Sequence, residues 1–211
     1  MRKCLAIGMM LIGILLLLIP VVGKWYVAYQ QKQMYAAYLE NLAQIEQPTS
    51  QEEMDVEQEM QIPTEQAPSK EALQTPNGLE VIGQVAIPKI GVELMFVEGV
   101  TNQALKFAVG HMPGTSLPGE VGNCAIAGHR SYTFGEYFNR LDEVEIGDDI
   151  LITFGGEKYT YKVYETFLVE PSEVSVLEPQ GDRKVVTLIT CHPVVAATHR
   201  LIVRGELVEE K

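Results

Sequence analysis

Thr187-Leu188-Ile189-Thr190-Cys191 is the stretch whose reading decides both the fold and its chemistry. The run from Val185 to Thr190 is apolar and rich in β-branched residues, the pattern of a buried strand. Pro193 has no amide hydrogen to give to a ladder, so the strand is expected to stop within a residue or two of Cys191. A lone thiol therefore sits at a strand end, where chains open onto clefts. Arg200 lies nine positions on and opens the next apolar run, Leu201 to Val203. If the two runs pair in one sheet, guanidinium and sulfur face the same groove. A third apolar run, Ala125-Ile126-Ala127-Gly128, ends in His129 and Arg130. Thiol, imidazole and guanidinium at the ends of three strands suit nucleophilic chemistry at a carbonyl.

Outward from this core, the pattern is β-dominated from about Glu80 to the end of the chain. Val81–Ile87, Val92–Val97, Asn123–Gly128, Ile150–Phe154, Tyr159–Val169, Lys184–Cys191 and Leu201–Val208 read as strands. Asn102–Phe107 and Phe134–Leu141 suit short helices, and His111 to Gly122 is a Gly/Pro-rich loop. Short strands with turn signals between them point to a barrel or a sandwich.

The first 80 residues are different in kind. Cys4 to Val22 is a run of 19 residues with no charge, long enough to span a bilayer. Arg2 and Lys3 precede it, while Trp25, Tyr26 and Tyr29 follow as an interfacial aromatic cluster. The positive-inside rule then puts the N-terminus in the cytoplasm and the C-terminal domain outside. No small-x-small cleavage site follows the run, which favours an uncleaved anchor over a signal peptide. Tyr26 to Ile45 has few breakers and extends the helix outward. Residues 46–80 carry nine acidic side chains and one basic, with Pro48, Pro63, Pro68 and Pro76 among them. This composition reads as a disordered spacer. Three segments are expected: anchor 1–24, stalk and spacer 25–79, and catalytic barrel 80–211.

The net charge of −12 argues against nucleic acid, which would require a basic face. Three cysteines do not build a disulfide framework. Cys4 falls in the apolar N-terminal run and Cys124 reads as a small core residue, leaving Cys191 as the thiol available for use. The spacing of Cys and His fits no familiar zinc pattern. The acidic pairs Asp148-Asp149 and Glu209-Glu210 read as solvated turns or ends. No metal or cofactor is expected.

The ordered combination of motifs resembles the sortases, the membrane-anchored cysteine transpeptidases of Gram-positive bacteria. Thr187-Leu188-Ile189-Thr190-Cys191 matches their TLxTC motif. The likeness extends through Gly110-His111-Met112-Pro113-Gly114-Thr115 and Ala127-Gly128-His129-Arg130 to His199-Arg200-Leu201-Ile202-Val203-Arg204-Gly205, and it covers roughly Gly83 to Leu207. The resemblance implies a closed eight-stranded β-barrel. It implies Cys191 as nucleophile, His129 as general acid and base, and Arg200 as the stabiliser of substrate and oxyanion. It also implies cleavage of a Leu-Pro-x-Thr sorting signal after Thr, with transfer of the acyl group to a cell-wall amine. The stretches from Gly128 to Gly135 and from Phe138 to Leu141 are most similar to class D members.

Two alternatives stay open. Class C pilin polymerases share part of the pattern, but they usually carry Thr-Pro-Tyr after the cysteine where this chain has His192-Pro193-Val194. They usually add a C-terminal membrane helix and an Asp-Pro lid motif, and neither is expected here. A tethered barrel that binds peptides without catalysis is the other. Arg204 rivals Arg200, because residues four apart on a strand share a face. His111 is expected to shape its loop, and His192 and His199 to be site walls or turn residues.

Overall fold

Alternating inward and outward residues along eight strands close a β-barrel. The computed structural model describes residues 2–45, 78–130 and 137–208. The strands are β1 (Val81–Ile87), β2 (Val92–Glu98), β3 (Val109–His111), β4 (Gly122–Ala127), β5 (Asp149–Phe154), β6 (Glu157–Val169), β7 (Lys184–His192) and β8 (His199–Leu207). Around the barrel they run β1-β2-β3-β4-β7-β8-β6-β5, and β5 closes on β1. Two neighbouring pairs are parallel, β2 with β3 and β4 with β7, and the others are antiparallel. The first parallel crossover is the short helix α2 (Asn102–Phe107), capped by the Thr101 side chain, which accepts from the Ala104 amide at 3.1 Å. The second is the β5–β6 hairpin.

The interior is filled by the inward residues. On β7 these are Val186 and Leu188, on β8 Leu201 and Val203, on β4 Cys124 and Ile126, packed with Phe96, Phe138, Ile150 and Ile152. Period-2 alternation then sends Thr187, Ile189, Cys191, Arg200, Ile202 and Arg204 to the outer face. Every strand expected from the sequence is present to within two residues. The expected loop holds from Met112 on, but His111 closes a strand the sequence did not predict: β3 is only three residues long and holds its place through β2 and β4. The turn between β1 and β2 is a 3-10 helix, Pro88–Ile90, ended by Gly91 in the left-handed region at φ 65°. Of the helix expected over Phe134–Leu141, residues 134–136 lie outside the described residues. The part described is a turn leading into the 3-10 helix Leu141–Glu143.

Among the described residues one helix, α1 (Arg2–Ile45), precedes the barrel. Among the described residues no helix is long and apolar enough to cross a membrane, and several side chains of the Cys4–Val22 run, on which the expected anchor rests, lie outside those described. The acidic segment 46–77 is likewise outside the described residues. The expected extension from Tyr26 to Ile45 is present as helix, but it lies along the barrel and does not stand clear of it as a stalk. Val27, Gln30, Met34 and Tyr38 recur at helical spacing and are buried. Met34 and Tyr38 pack into a second apolar cluster with Met95, Val97, Ala104, Phe107 and Ala108, outside the barrel wall. The pairing of β2 with β3 starts only at Phe96, so the earlier part of β2 has an open edge. Gln31 covers it: its Oε1 accepts from the Met95 amide at 3.0 Å, and its Nε2 donates to the Phe107 carbonyl. An unpaired strand edge is thereby satisfied.

Met34 is fully buried at the centre of this contact. Met34→Ala is expected to lower unfolding free energy by about 2–5 kcal/mol, the usual cost of a large-to-small change in a packed interior. Urea denaturation of the two proteins checks it; an unchanged midpoint would mean that α1 adds nothing to the fold.

Candidate active site

Three chain segments end at the same rim of the barrel. β4 and β7 are parallel, with Ala127 opposite Ile189, so both run to that rim. β8 starts there and returns antiparallel, with Cys191 directly opposite Arg200 and His192 opposite His199. Beyond the end of β4 the pairing continues through two further bonds. The Gly128 amide donates to the Ile189 carbonyl at 3.0 Å, and Thr190 Oγ1 donates to the Gly128 carbonyl at 2.7 Å. His129 is therefore held by its backbone beside the strand that carries Cys191. From the other side, the Phe138 amide donates to the His129 carbonyl at 3.1 Å. Gly128 must be glycine because a Cβ there would lie 2.6 Å from Cδ2 of Phe138, inside van der Waals contact.

The structure thus brings together the three residues expected from the sequence. His129 is exposed, whereas Cys191 and Arg200 are partly buried. Arg200 Nη1 donates to the carbonyls of Ala197 at 3.3 Å and His199 at 3.1 Å, both in or beside the β7–β8 turn. The other described thiol, Cys124, is 1 % exposed inside the barrel, and burial pushes its pKa far above the ordinary thiol range. It lies in the barrel core with Ile126, Val186 and Leu188 and is a packing residue.

The two arginines that strand parity left open occupy different positions along β7: Arg200 lies opposite Cys191. Arg204 lies opposite Thr187, four residues down the strand from Arg200. Its guanidinium is taken up by Glu165 Oε2 at 3.3 Å and by the Val176 carbonyl at 3.4 Å, and it stands over the Phe167 ring at 5.1 Å. Arg204 therefore fastens the β6–β7 connection to the wall. Asn123 does the same from β4: its Nδ2 donates to the Val176 and Glu178 carbonyls at 2.9 and 3.2 Å, and its Oδ1 accepts from Thr187 at 2.7 Å. The sequence reading took Asn123 as one residue of an apolar strand; its polar side chain on a buried outward position was the available signal.

His111 does shape its loop. Its Nδ1 faces Glu98 at 2.9 Å, and its Nε2 faces Thr115 Oγ1 at 3.0 Å and the Ser116 carbonyl at 3.1 Å. His192 meets Arg130, while His199 bonds the adjacent Thr198. Asp148 accepts from the Glu145 amide and Asp149 faces Lys162 at 2.5 Å, so the two carboxylates do not converge. Glu209 and Glu210 lie outside the described residues.

A closed barrel presenting thiol, imidazole and guanidinium at one rim has the parts of a thiol-dependent acyl-transfer enzyme. A family model described as a sortase domain matches residues 85–208. Sortase D of Bacillus subtilis is 32% identical over 148 residues, covering 69% of this chain and 72% of that protein. Among solved structures, a Clostridium perfringens sortase D5 transpeptidase is 36% identical with a TM-score of 0.57, covering 62% of this chain and 80% of that one. Sortase C1 of Streptococcus agalactiae is 34% identical with a TM-score of 0.60, covering 63% and 69%. The chain belongs to the sortase family and is a cysteine transpeptidase.

The Thr190 hydroxyl ties β7 to the Gly128 carbonyl in a site that is 2 % exposed. Thr190→Val keeps the shape and orphans that carbonyl, which is expected to cost about 1–3 kcal/mol of stability. Peptide turnover should fall with it, because His129 follows Gly128. Thermal unfolding together with peptide cleavage checks both; a variant as stable and active as the parent would show that the hydrogen bond does not hold the rim.

Proposed function

We propose that this transpeptidase cleaves a Leu-Pro-x-Thr sorting signal after Thr and passes the acyl group to a primary amine of the cell wall, anchoring surface proteins. The observation that carries the reading is the register of Cys191 opposite Arg200, with His129 tied alongside. The sorting-signal core is drawn from family membership, and the likeness to Sortase D of Bacillus subtilis supports a class D enzyme. The pilin-polymerising alternative draws on likeness to sortase C structures, but His192-Pro193-Val194 after the cysteine favours the class D reading.

In this reading the Cys191 thiolate attacks the Thr carbonyl, and the resulting oxyanion is met by donors of Arg200. His129, as imidazolium, gives its proton to the departing amine while the carbon–nitrogen bond breaks. The thioacyl enzyme remains, with His129 neutral. An incoming amine attacks the thioester, His129 takes the proton released, and the Cys191 thiolate leaves. The cycle closes with no cofactor. A proline in the signal fixes one backbone angle, which lowers the ordering cost of an extended peptide in the groove.

We further propose a single-pass membrane protein with the barrel outside the cell. The uncharged Cys4–Val22 run, the preceding Arg2 and Lys3, and the stacked pair Trp25–Tyr29 support that placement.

Cys191→Ala is expected to abolish both cleavage and transfer without unfolding the protein. His129→Ala and Arg200→Ala should each lower kcat/KM by at least about a hundredfold, the scale of lost proton-transfer or oxyanion assistance. Arg204→Ala should cost much less. Mass spectrometry of peptide mixtures with diaminopimelate or oligoglycine amines reads the products. Turnover by a folded Cys191→Ala protein, or hydrolysis with no amine ever incorporated, contradicts the reading.

A further inference from the structure

Arg130 follows His129 directly, and its side chain is 3 % exposed although it carries a permanent positive charge. A guanidinium taken out of water needs acceptors, and Arg130 has three from separate pieces of chain. Nε donates to the Asn139 carbonyl at 3.2 Å, Nη1 to Nδ1 of His192 at 2.6 Å, and Nη2 lies 2.6 Å from Oδ1 of Asp142. His192 is the residue after Cys191 and the last of β7. The neighbours of the two residues assigned to proton transfer and attack are thus joined to each other.

The direction of this bond follows from chemistry. Arginine has only donors, so His192 Nδ1 must offer its lone pair, and the ring proton sits on Nε2. A proton on Nδ1 as well would break the contact and set two positive charges side by side. Asp142, on the 3-10 helix Leu141–Glu143, holds the other arm of the guanidinium.

We propose that Arg130 and His192 are positioning residues: they fix the His129 imidazole within reach of Cys191, and Asp142 orients the guanidinium that joins them. The claim rests on the roles given to His129 and Cys191 above. Proton transfer across this pair depends on placement, and a displacement of about 1 Å in such a site costs on the order of a hundredfold in rate. The backbone bonds through Gly128 hold one edge of the His129 segment, and the Arg130–His192 bond holds the other side of the same residue. Neither residue contacts substrate in this account, so its loss should appear in kcat more than in KM.

Asparagine separates positioning from simple bulk. In His192→Asn the side-chain oxygen replaces Nδ1 as acceptor, whereas His192→Leu fills similar space with no acceptor at all. We expect the Asn variant to stay within about threefold of the parent in kcat and the Leu variant to fall at least about tenfold, both with little change in KM, as expected for lost geometry and not lost binding. Nitrogen NMR of histidine-labelled protein should show His192 protonated on Nε2 in the parent. It should show a mixed tautomer in Arg130→Met if that protein folds. Alkylation of Cys191 by iodoacetamide should slow in the Leu variant and not in the Asn variant. Equal activity of the Leu variant and the parent, equal loss in Asn and Leu, or an Nδ1-protonated His192 in the parent would each overturn the proposal. Should the parent turn over no sorting peptide, the functional reading fails alone, and the tautomer and alkylation rates still decide the positioning claim.

Discussion

Strand β7 pairs on both flanks at once, parallel with β4 and antiparallel with β8, and the remaining features of the rim depend on that double pairing. The antiparallel side sets Arg200 opposite Cys191. The parallel side brings the end of β4 level with Ile189, so that the chain leaving β4 reaches the rim as His129. A slip of one residue on either flank would send the corresponding side chain to the barrel interior, where apolar packing leaves no room for it. Burial of Val186, Leu188, Leu201 and Val203 therefore specifies the site: the same alternation that fills the core aims Cys191 and Arg200 outward.

The rim is held by polar bonds placed where burial makes them matter. Thr190 satisfies the Gly128 carbonyl and Asn123 satisfies the Val176 carbonyl of the β6–β7 connection, both at positions shielded from water. Orphaning such a group costs more than its bond contributes, so these contacts act as constraints on the backbone. The two cationic side chains on β8 show how environment divides similar residues. Arg204 gives its Nη donors to Glu165 and Val176 and its face to Phe167, while among the described residues Arg200 bonds peptide carbonyls of its own turn.

Most of the barrel was legible in the sequence because its strands are long, apolar on alternate positions and bounded by Gly or Pro. The rim triad was legible because Cys191, His129 and Arg200 each end or open such a run. β3 was not, since three residues carry no period and are held by neighbours distant in sequence. Arg130 was read as a trailing part of the Gly128-His129-Arg130 match, because arginine by type belongs at the surface and its three acceptors come from residues 139, 142 and 192. The helix from Tyr26 to Ile45 was legible as helix, but its docking was not. Gln31, which makes the most specific contact there, is a polar residue on a polar stretch, and only the open edge of β2 gives it meaning.

The central claim is that Cys191 forms the covalent intermediate at this rim. Intact-protein mass spectrometry after incubation with a Leu-Pro-x-Thr peptide and no acceptor amine, followed by mapping of the modified residue, reads it directly. The account predicts an added mass equal to the acyl fragment ending at Thr, borne by Cys191 and discharged by a primary amine or by hydroxylamine. Modification at Cys124, an adduct that ends elsewhere than at Thr, or turnover with no thioester on Cys191 would contradict it.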